Sequence, residues 1–469
     1  MKYEKTLQEA KKDFEEKIIP NLEAFVRIDN LSPNYDPNWE TNGKAEKAGM
    51  HLLNWAKSQE IKGLKGELIK EPGKTHILFI EIEPQGINKT ILLYGHFDKQ
   101  PSLGVWEEGL HPNKPVRKNG LLYGRGSSDD GYAFFAMIEA IKLIQSQNCK
   151  HGKIVITIES GEESGSPDLI FHLKNLKGRI GNPDLMICLD SGCKDYSSLW
   201  ITTSLRGAAK FEVEVECLKE DVHSGKVSGV APDSFTVLRL LLDRLEDSKT
   251  SKVTSLLSAD IPVYRIEDAK KLADYLKDKV ISDIVKLGDK VKPLTEDYKE
   301  IILNNTWRPT LVVTGMTGFP PAEGAGNVLR RKIKAAISIR LPPTFKGKES
   351  EKIVTEILTK DPPYNSKVNV KVICSMNGWA AKDLDPSLKK SFSLSSKFLF
   401  GKDYYCCGEG GSIPFIAELG ELYPNCEILV TGVLGPGSNA HSVNECLNLE
   451  YTYKMIVALS HAIYDFNNQ

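Results

Sequence analysis

The apolar positions along this chain change their period several times, and each change marks an element. Over residues 3–28, Leu7, Phe14, Ile18, Ile19, Leu22, Phe25 and Val26 recur at three- and four-residue steps, which predicts an amphipathic helix. Residues 30–42 read as loop and 45–60 as a second helix. Short apolar runs then alternate with helical ones. Strands are expected at 76–82, 90–94, 153–158 and 184–189, and helices at 132–144 and 169–176. Strands that alternate with helices predict an α/β layer with a largely parallel sheet.

Near Arg206 and Gly207 the pattern changes. Phe211-Glu212-Val213-Glu214-Val215-Glu216-Cys217 alternates strictly, the mark of a sheet with one wet face. A helix at 233–245, strands at 310–313 and 333–340, a helix at 352–359 and a strand at 368–373 complete a β-α-β-β-α-β order, the split βαβ arrangement. The expected organisation is therefore a discontinuous first domain, 1–207 and 378–469, interrupted by an α+β domain at 208–377. That insert carries its own charged, mostly helical insertion at 247–306. In the last part, helical 386–398 precedes strand-like 427–433.

Composition narrows the class. Lys plus Arg is 61 and Asp plus Glu is 62, so bulk charge gives no pull toward nucleic acid or membrane. No apolar run reaches the roughly 18 residues of a membrane span. The first residues mix both charges and contain no apolar stretch of the signal-peptide kind. The nine cysteines are scattered, and Cys406 and Cys407 are neighbours, too close for an unstrained bridge. They read as reduced thiols of a cytoplasmic protein.

Five short stretches fall at strand ends or in glycine-rich loops, where open α/β sheets gather their sites. Gly95-His96-Phe97-Asp98 follows the strand at 90–94, and Asp98 is placed to fix the His96 tautomer. Tyr123 to Gly131 is a glycine-broken turn that carries Asp129 and Asp130. Adjacent acids here also suit the start of a helix, yet a carboxylate can bridge two cations through its two oxygens. Glu159 to Gly165 brings Glu162 and Glu163, which repel unless something positive lies between them. If a metal takes one, the other is free to act as a general base. Leu189 to Gly192 brings Asp190, and Gly437 to Glu445 brings His441. Together His96, Asp129, Glu163, Asp190 and His441 supply imidazoles and carboxylates without a thiolate. Such a set suits two Zn²⁺ or Mn²⁺ ions about 3.5–4 Å apart, with a shared carboxylate and a bridging water. The sequence holds no G-x-S-x-G, H-E-x-x-H, Walker A or G-x-G-x-x-G pattern.

These stretches, with Asp221 to Gly225 and Gly408 to Pro414, occur in an order that resembles the M20 metallopeptidases, and most nearly their carnosinase-like (cytosolic non-specific) dipeptidase branch. The resemblance covers roughly residues 45–460. It implies a catalytic domain of the phosphorylase/hydrolase-like, zinc-exopeptidase type and a ferredoxin-like lid and dimerisation domain. One metal would take His96, Asp129 and Asp190, and the other Asp129, Glu163 and His441. Glu162 would be the general base toward the bridging water, Asp98 would orient His96, and a cis peptide would follow Asp129. His223 would reach the partner subunit's active site and help stabilise the oxyanion. Arg340 would clamp a substrate carboxylate, and Asn327, Gly411 and Ser412 would contact substrate.

The chain departs from the family at two places. Many relatives have Asp-Asp-Lys-Gly where this one has Asp129-Asp130-Gly131-Tyr132, and their Val-Ile-Pro is here Val328-Leu329-Arg330. The expected protein is a homodimeric hydrolase of dipeptides or short peptides with a free C-terminal carboxylate, using two divalent ions per subunit, Zn²⁺ before Mn²⁺. An N-acyl-amino-acid deacylase would use the same machinery, and a non-catalytic binding protein is the remote alternative.

Overall fold

The computed structural model describes residues 1–468. Its two main sheets include β1 (Leu64–Ile69), β2 (Ile77–Ile82), β3 (Thr90–His96), β4 (Lys153–Glu159), β5 (Leu185–Cys188), β6 (Gly207–Glu216), β7 (Thr310–Thr317), β8 (Lys332–Leu341), β9 (Lys367–Met376) and β10 (Glu427–Val430). Four helices matter below: α1 (Tyr132–Ser146), α2 (Ser234–Leu242), α3 (Gly347–Thr359) and α4 (Leu449–Asn467). The chain forms two compact units. The first takes Met1–Thr203, Ala381–Cys407 and the residues from Glu418 on, and the second takes Ser204–Ala380 and Gly408–Ala417.

The sheet of the first unit runs β1-β2-β4-β3-β5-β10 and continues into Trp200–Leu205. Its centre is parallel, β4 with β3, β3 with β5 and β5 with β10. The β1/β2 and β2/β4 pairs are antiparallel. The central strands are buried almost throughout, as strands covered on both faces must be. Helix α1 is apolar on nearly every side and buried from Tyr132 to Ile141. The amphipathic N-terminal stretch forms helices Tyr3–Asp13 and Ile19–Val26, joined by a wider turn at Phe14–Ile18. Pro20 supplies no N–H to the turn before it, which accounts for the widening there.

In the second unit the antiparallel order is β7-β8-β6-β9, that of a ferredoxin-like sheet. Ile333, Ala335, Ile337, Ile339 and Leu341 on β8 face the core with Phe211, Val213 and Val215 of β6. Val237, Leu238 and Leu241 of α2 and Val354 and Leu358 of α3 close over them. The strict alternation of β8 is the period-2 signal that the sequence displays. Among the described residues no helix is long and apolar enough to cross a membrane.

Candidate metal centre

Parallel strands end on one edge of a sheet, and residues just past those ends become neighbours although they are distant in sequence. His96 is the last residue of β3 and pairs with Glu159, the last of β4. Tyr94 pairs with Cys188, the last of β5, and β10 ends beside it at Val430. The loops that leave these strands carry Asp98, Glu162, Glu163, Asp190 and His441. Asp129 reaches the same edge from the turn before α1. The Asp129–Asp130 peptide is cis.

The donor atoms fall into two overlapping triads, His96–Asp129–Asp190 and Asp129–Glu163–His441, and within each they lie within 4.8 Å of one another. Asp129 divides its oxygens between the two. Oδ1 is 3.1 Å from His96 Nε2 and Oδ2 is 2.8 Å from His441 Nε2. Asp190 Oδ1 lies 4.0 Å from His96 Nε2, and Glu163 Oε2 lies 3.1 Å from His441 Nε2. Ligands held tetrahedrally at Zn–N and Zn–O distances near 2.0 Å are roughly 3.3 Å apart, so the spacing fits a shared divalent ion in each triad. A third grouping, His96 with Glu162 and Glu163, meets the same spacing.

Supporting bonds hold this arrangement. Asp98 Oδ1 is 3.3 Å from His96 Nδ1. The same carboxylate accepts the backbone N–H groups of Glu162 at 3.2 Å and Glu163 at 3.0 Å, so one side chain orients three site residues. Gln100 donates to Glu163 Oε2 at 2.7 Å. Tyr132, fully buried, donates to the Leu189 carbonyl at 2.5 Å and fixes the backbone next to Asp190. A Cβ at Gly131 would lie 2.2 Å from the Gly126 carbonyl oxygen and 2.6 Å from Phe25. This turn therefore closes backbone on backbone and has no room for a side chain at position 131.

Electrostatics make the same point. Among the described residues no lysine or arginine forms an ion pair with Asp98, Asp129, Glu162, Glu163 or Asp190. Burial pushes Asp190 up to about 7, and the charge of Asp129 adds to it. Burial also raises Glu162 well above the usual carboxyl range, with Asp190 contributing, and raises Glu163, with Asp129 contributing. Burial works against ionised Asp129 as well, but His441 and His96 outweigh it and hold this group low. The imidazoles answer in kind. Asp129 and Glu163 push His441 up to about 11. Burial disfavours the proton on His96, yet Asp129 and Asp98 prevail and raise it. Crowded acids that rely on two protonated imidazoles are a cluster short of positive charge, and divalent cations would supply it.

The remaining expected residues lie in the second unit. His223 sits on a two-stranded ribbon, paired with Val328 next to Asn327. The Asn327 carbonyl accepts the Ser224 N–H at 2.9 Å. His223 Nδ1 accepts the Gly225 N–H at 3.1 Å, which makes Nε2 the donor of the neutral ring. His223 and Asn327 are both exposed. Arg340, near the end of β8, donates to Ser412 Oγ at 3.2 Å. Ser412 Oγ in turn donates to the Arg206 carbonyl. Sequence reasoning did not single out Arg206. Its Nε donates to the Gly410 carbonyl at 3.1 Å and its N–H to the Gly411 carbonyl at 3.0 Å. Burial lowers Arg206 to about 10, and nearby Arg340 adds to the effect. Among the described residues neither arginine has a carboxylate partner. Gln100 and Tyr132 were also missed; the signal for Tyr132 was its place in a departure from the family pattern.

An α/β sheet with divalent-cation donors at its strand ends, joined in sequence to a ferredoxin-like unit, defines a metal-dependent peptidase. Residues 92–465 match peptidase family M20/M25/M40, and the chain belongs to that family. It is 28% identical over 441 residues to the cysteinylglycine-S-conjugate dipeptidase of Corynebacterium striatum, covering 92% of this chain and 93% of that protein. It is also 28% identical over 375 residues to the Cys-Gly metallodipeptidase of Saccharomyces cerevisiae, covering 77% of this chain and 76% of that one. Among solved structures, human carnosine dipeptidase 1 has the same fold, with a TM-score of 0.70 at 22% identity over 100% of this chain and 99% of that one.

Proposed function

We propose that the chain is a dinuclear metallodipeptidase that cleaves dipeptides or short peptides with a free C-terminal carboxylate. The observation that carries this reading is the division of Asp129, whose two oxygens face two different donor triads. His96, Asp129 and Asp190 would hold one cation and Asp129, Glu163 and His441 the other, Zn²⁺ or Mn²⁺. Bound there, the pair would polarise the scissile carbonyl and acidify the attacking water.

The chain's own residues then divide the work. Glu162 belongs to neither triad that shares Asp129, and its burial keeps its carboxyl basic. It takes the proton of the attacking water and passes it to the leaving amine nitrogen. Asp98 holds the His96 ring and the Glu162–Glu163 backbone in register. Arg340, steadied by Ser412, binds the terminal carboxylate, with Asn327 and Gly411 as further substrate contacts. His223 donates from Nε2 to the oxyanion of the neighbouring subunit's substrate.

This last role requires a homodimer formed through the second unit acting as a lid. The surface there supports one. β7 is an outer strand of its sheet, and Val312, Val313 and Met316 along it are 56%, 39% and 41% exposed. Phe235 of α2 and Phe319 stack edge-on at 6.0 Å and are also exposed. The cysteines form no disulfide among the described residues, which fits a cytoplasmic enzyme.

Two relatives named for Cys-Gly substrates favour a dipeptide over an acylated amino acid. The test is a panel assayed with Zn²⁺ or Mn²⁺: Cys-Gly, β-Ala-His, their C-terminal amides, and N-acetyl amino acids. Cleavage of the free dipeptides, at least about ten times faster than of the amides, is expected from loss of a charged hydrogen-bond pair. Faster turnover of the N-acetyl amino acids would establish a deacylase instead. No cleavage of any compound by protein with both ions bound would refute the catalytic reading.

A further inference from the structure

Glu445 lies four residues after His441, and Arg125 lies four before Asp129. Both side chains are buried, at 0% and 2% exposure, and they meet through a 2.6 Å bond from Arg125 Nη1 to Glu445 Oε2. The carboxylate does much more than pair with the arginine. Its Oε1 accepts the N–H groups of Gly126 and Ser128 at 3.1 Å and of Asp129 at 3.2 Å, and the Ser128 hydroxyl at 3.1 Å. Its Oε2 shares the Gly126 N–H at 3.1 Å. The Glu445 carbonyl accepts the Gly124 N–H at 3.0 Å. Arg125 Nη2 donates to the carbonyls of Ser442, next to His441, at 2.9 Å and Pro101 at 3.3 Å. Just beyond, Cys446 pairs with Tyr123 in a short antiparallel ladder.

The pair thus ties the loop of Asp129 to the loop of His441. These loops need a tie that the other ligands do not. His96 ends β3, and Asp190 follows closely on β5, so the sheet itself sets their spacing. His441 sits in an irregular loop with positive φ at Asn439, His441 and Asn444, and its side chain is 55% exposed. Stability alone is a weak reason for such a device. A buried ion pair repays its desolvation poorly, and apolar replacements often serve as well. A carboxylate that gathers three N–H groups of one loop has a geometric task.

We propose that Glu445 and Arg125 are positioning residues that set the affinity of the Asp129–Glu163–His441 metal position and leave the His96–Asp129–Asp190 position largely to the sheet. The inference rests on the dinuclear reading above. It places the weaker, more exchangeable ion at the exposed triad, with the Glu445 carboxylate deciding how weak.

The test is titration of the metal-free protein with Zn²⁺ against a competing chelator, which resolves two dissociation constants. Near-ultraviolet circular dichroism and thermal unfolding of the metal-free form report the fold independently. Glu445→Gln keeps the side-chain shape but loses the charge that the N–H groups and Arg125 share. It is expected to weaken the second constant about 10- to 100-fold, the usual size of an outer-shell effect, while the first changes less than about threefold. Arg125→Lys, which keeps the charge and loses the fork to Ser442, is expected to shift the same constant in the same direction by less, and serves if Glu445→Gln does not fold. Two unchanged constants in a folded variant would overturn the proposal, as would equal weakening of both, which would make the pair a general support. Wild-type protein that binds a single ion would instead refute the dinuclear reading, and this proposal with it.

Discussion

The two units spend their polar side chains in opposite ways. In the first, His96, Asp98, Asp129 and Glu445 are 1%, 2%, 6% and 0% exposed, and each is engaged by other parts of the same unit. In the second, His223 and Asn327 lie open on a ribbon, and Arg206 and Arg340 sit near each other with no carboxylate partner among the described residues. A buried charge must be compensated where it is, and the crowded acids of the first unit are of the kind that divalent cations compensate. The second unit has unused donors and uncompensated positive charge, which suit a partner brought from elsewhere: an oxyanion for His223 and a carboxylate for the arginines. Under the proposed function, the contrast would separate groups that make the reaction possible from groups that select and stabilise what reacts. It can be broken at either end.

The largest effect is expected in the first unit, from Glu162→Gln. The amide is nearly isosteric but cannot accept the proton of the attacking water, so kcat should fall about 10²- to 10⁴-fold, the range for loss of a general base. Bound metal should stay at the wild-type level, because neither triad that shares Asp129 uses Glu162. Metal analysis beside turnover makes this sharp, since Glu162 also lies within ligand spacing of His96 and Glu163. Loss of an ion in the variant would make Glu162 a ligand, and retained turnover would remove it from the mechanism.

His223→Ala should come next, with kcat lower by about 10²- to 10³-fold, as for loss of one oxyanion donor. Metal content and fold should not change, because the ring is exposed and accepts the N–H of Gly225, two residues on in its own turn. Mixing this variant with Glu162→Gln subunits tests whether the donor crosses between copies. In an isologous dimer each mixed pair would contain one intact site, so statistical mixing should restore about a quarter of wild-type activity. No recovery in verified mixed dimers would confine His223 to its own subunit or to no catalytic part at all.

What could be read from the sequence follows the same division. Strands β3, β4 and β8 announce themselves because burial on two faces or one leaves a continuous or an alternating apolar record. That His96, Glu162, Glu163 and Asp190 would come together was legible because parallel strands end on one edge. β1 was not: Leu64-Lys65-Gly66-Glu67-Leu68-Ile69 is a half-exposed edge strand whose pattern stays weak. Helix α4 also went unread, since Tyr451, Thr452, Ser460, His461 and Asn467 are buried along with its apolar residues, and the mixture blurs the helical stripe. Gln100, Arg125 and Arg206 act largely by donating hydrogen bonds to partners far along the chain. Such bonds impose no spacing on a sequence and become visible when the chain is folded.

Arg340→Met should give the smallest change and the most specific one. A hydrogen-bonded contact with a charged group contributes about 1.5–3 kcal/mol, so KM for a free dipeptide should rise roughly 10- to 150-fold while kcat changes little, the signature of lost ground-state binding. The C-terminal amide of the same dipeptide should be affected far less. An equal loss on acid and amide would show that Arg340 does not read the carboxylate. Arg206 makes the comparison finer. Its guanidinium is anchored by the Gly410 carbonyl and by Thr310 Oγ1 at 3.2 Å rather than by Arg340, so its charge survives the substitution. Some preference for acid over amide should therefore persist in Arg340→Met. If the preference vanishes altogether, the second unit reads its anion through one arginine, and the charge of the other is spent on holding the glycine loop at Gly410 and Gly411.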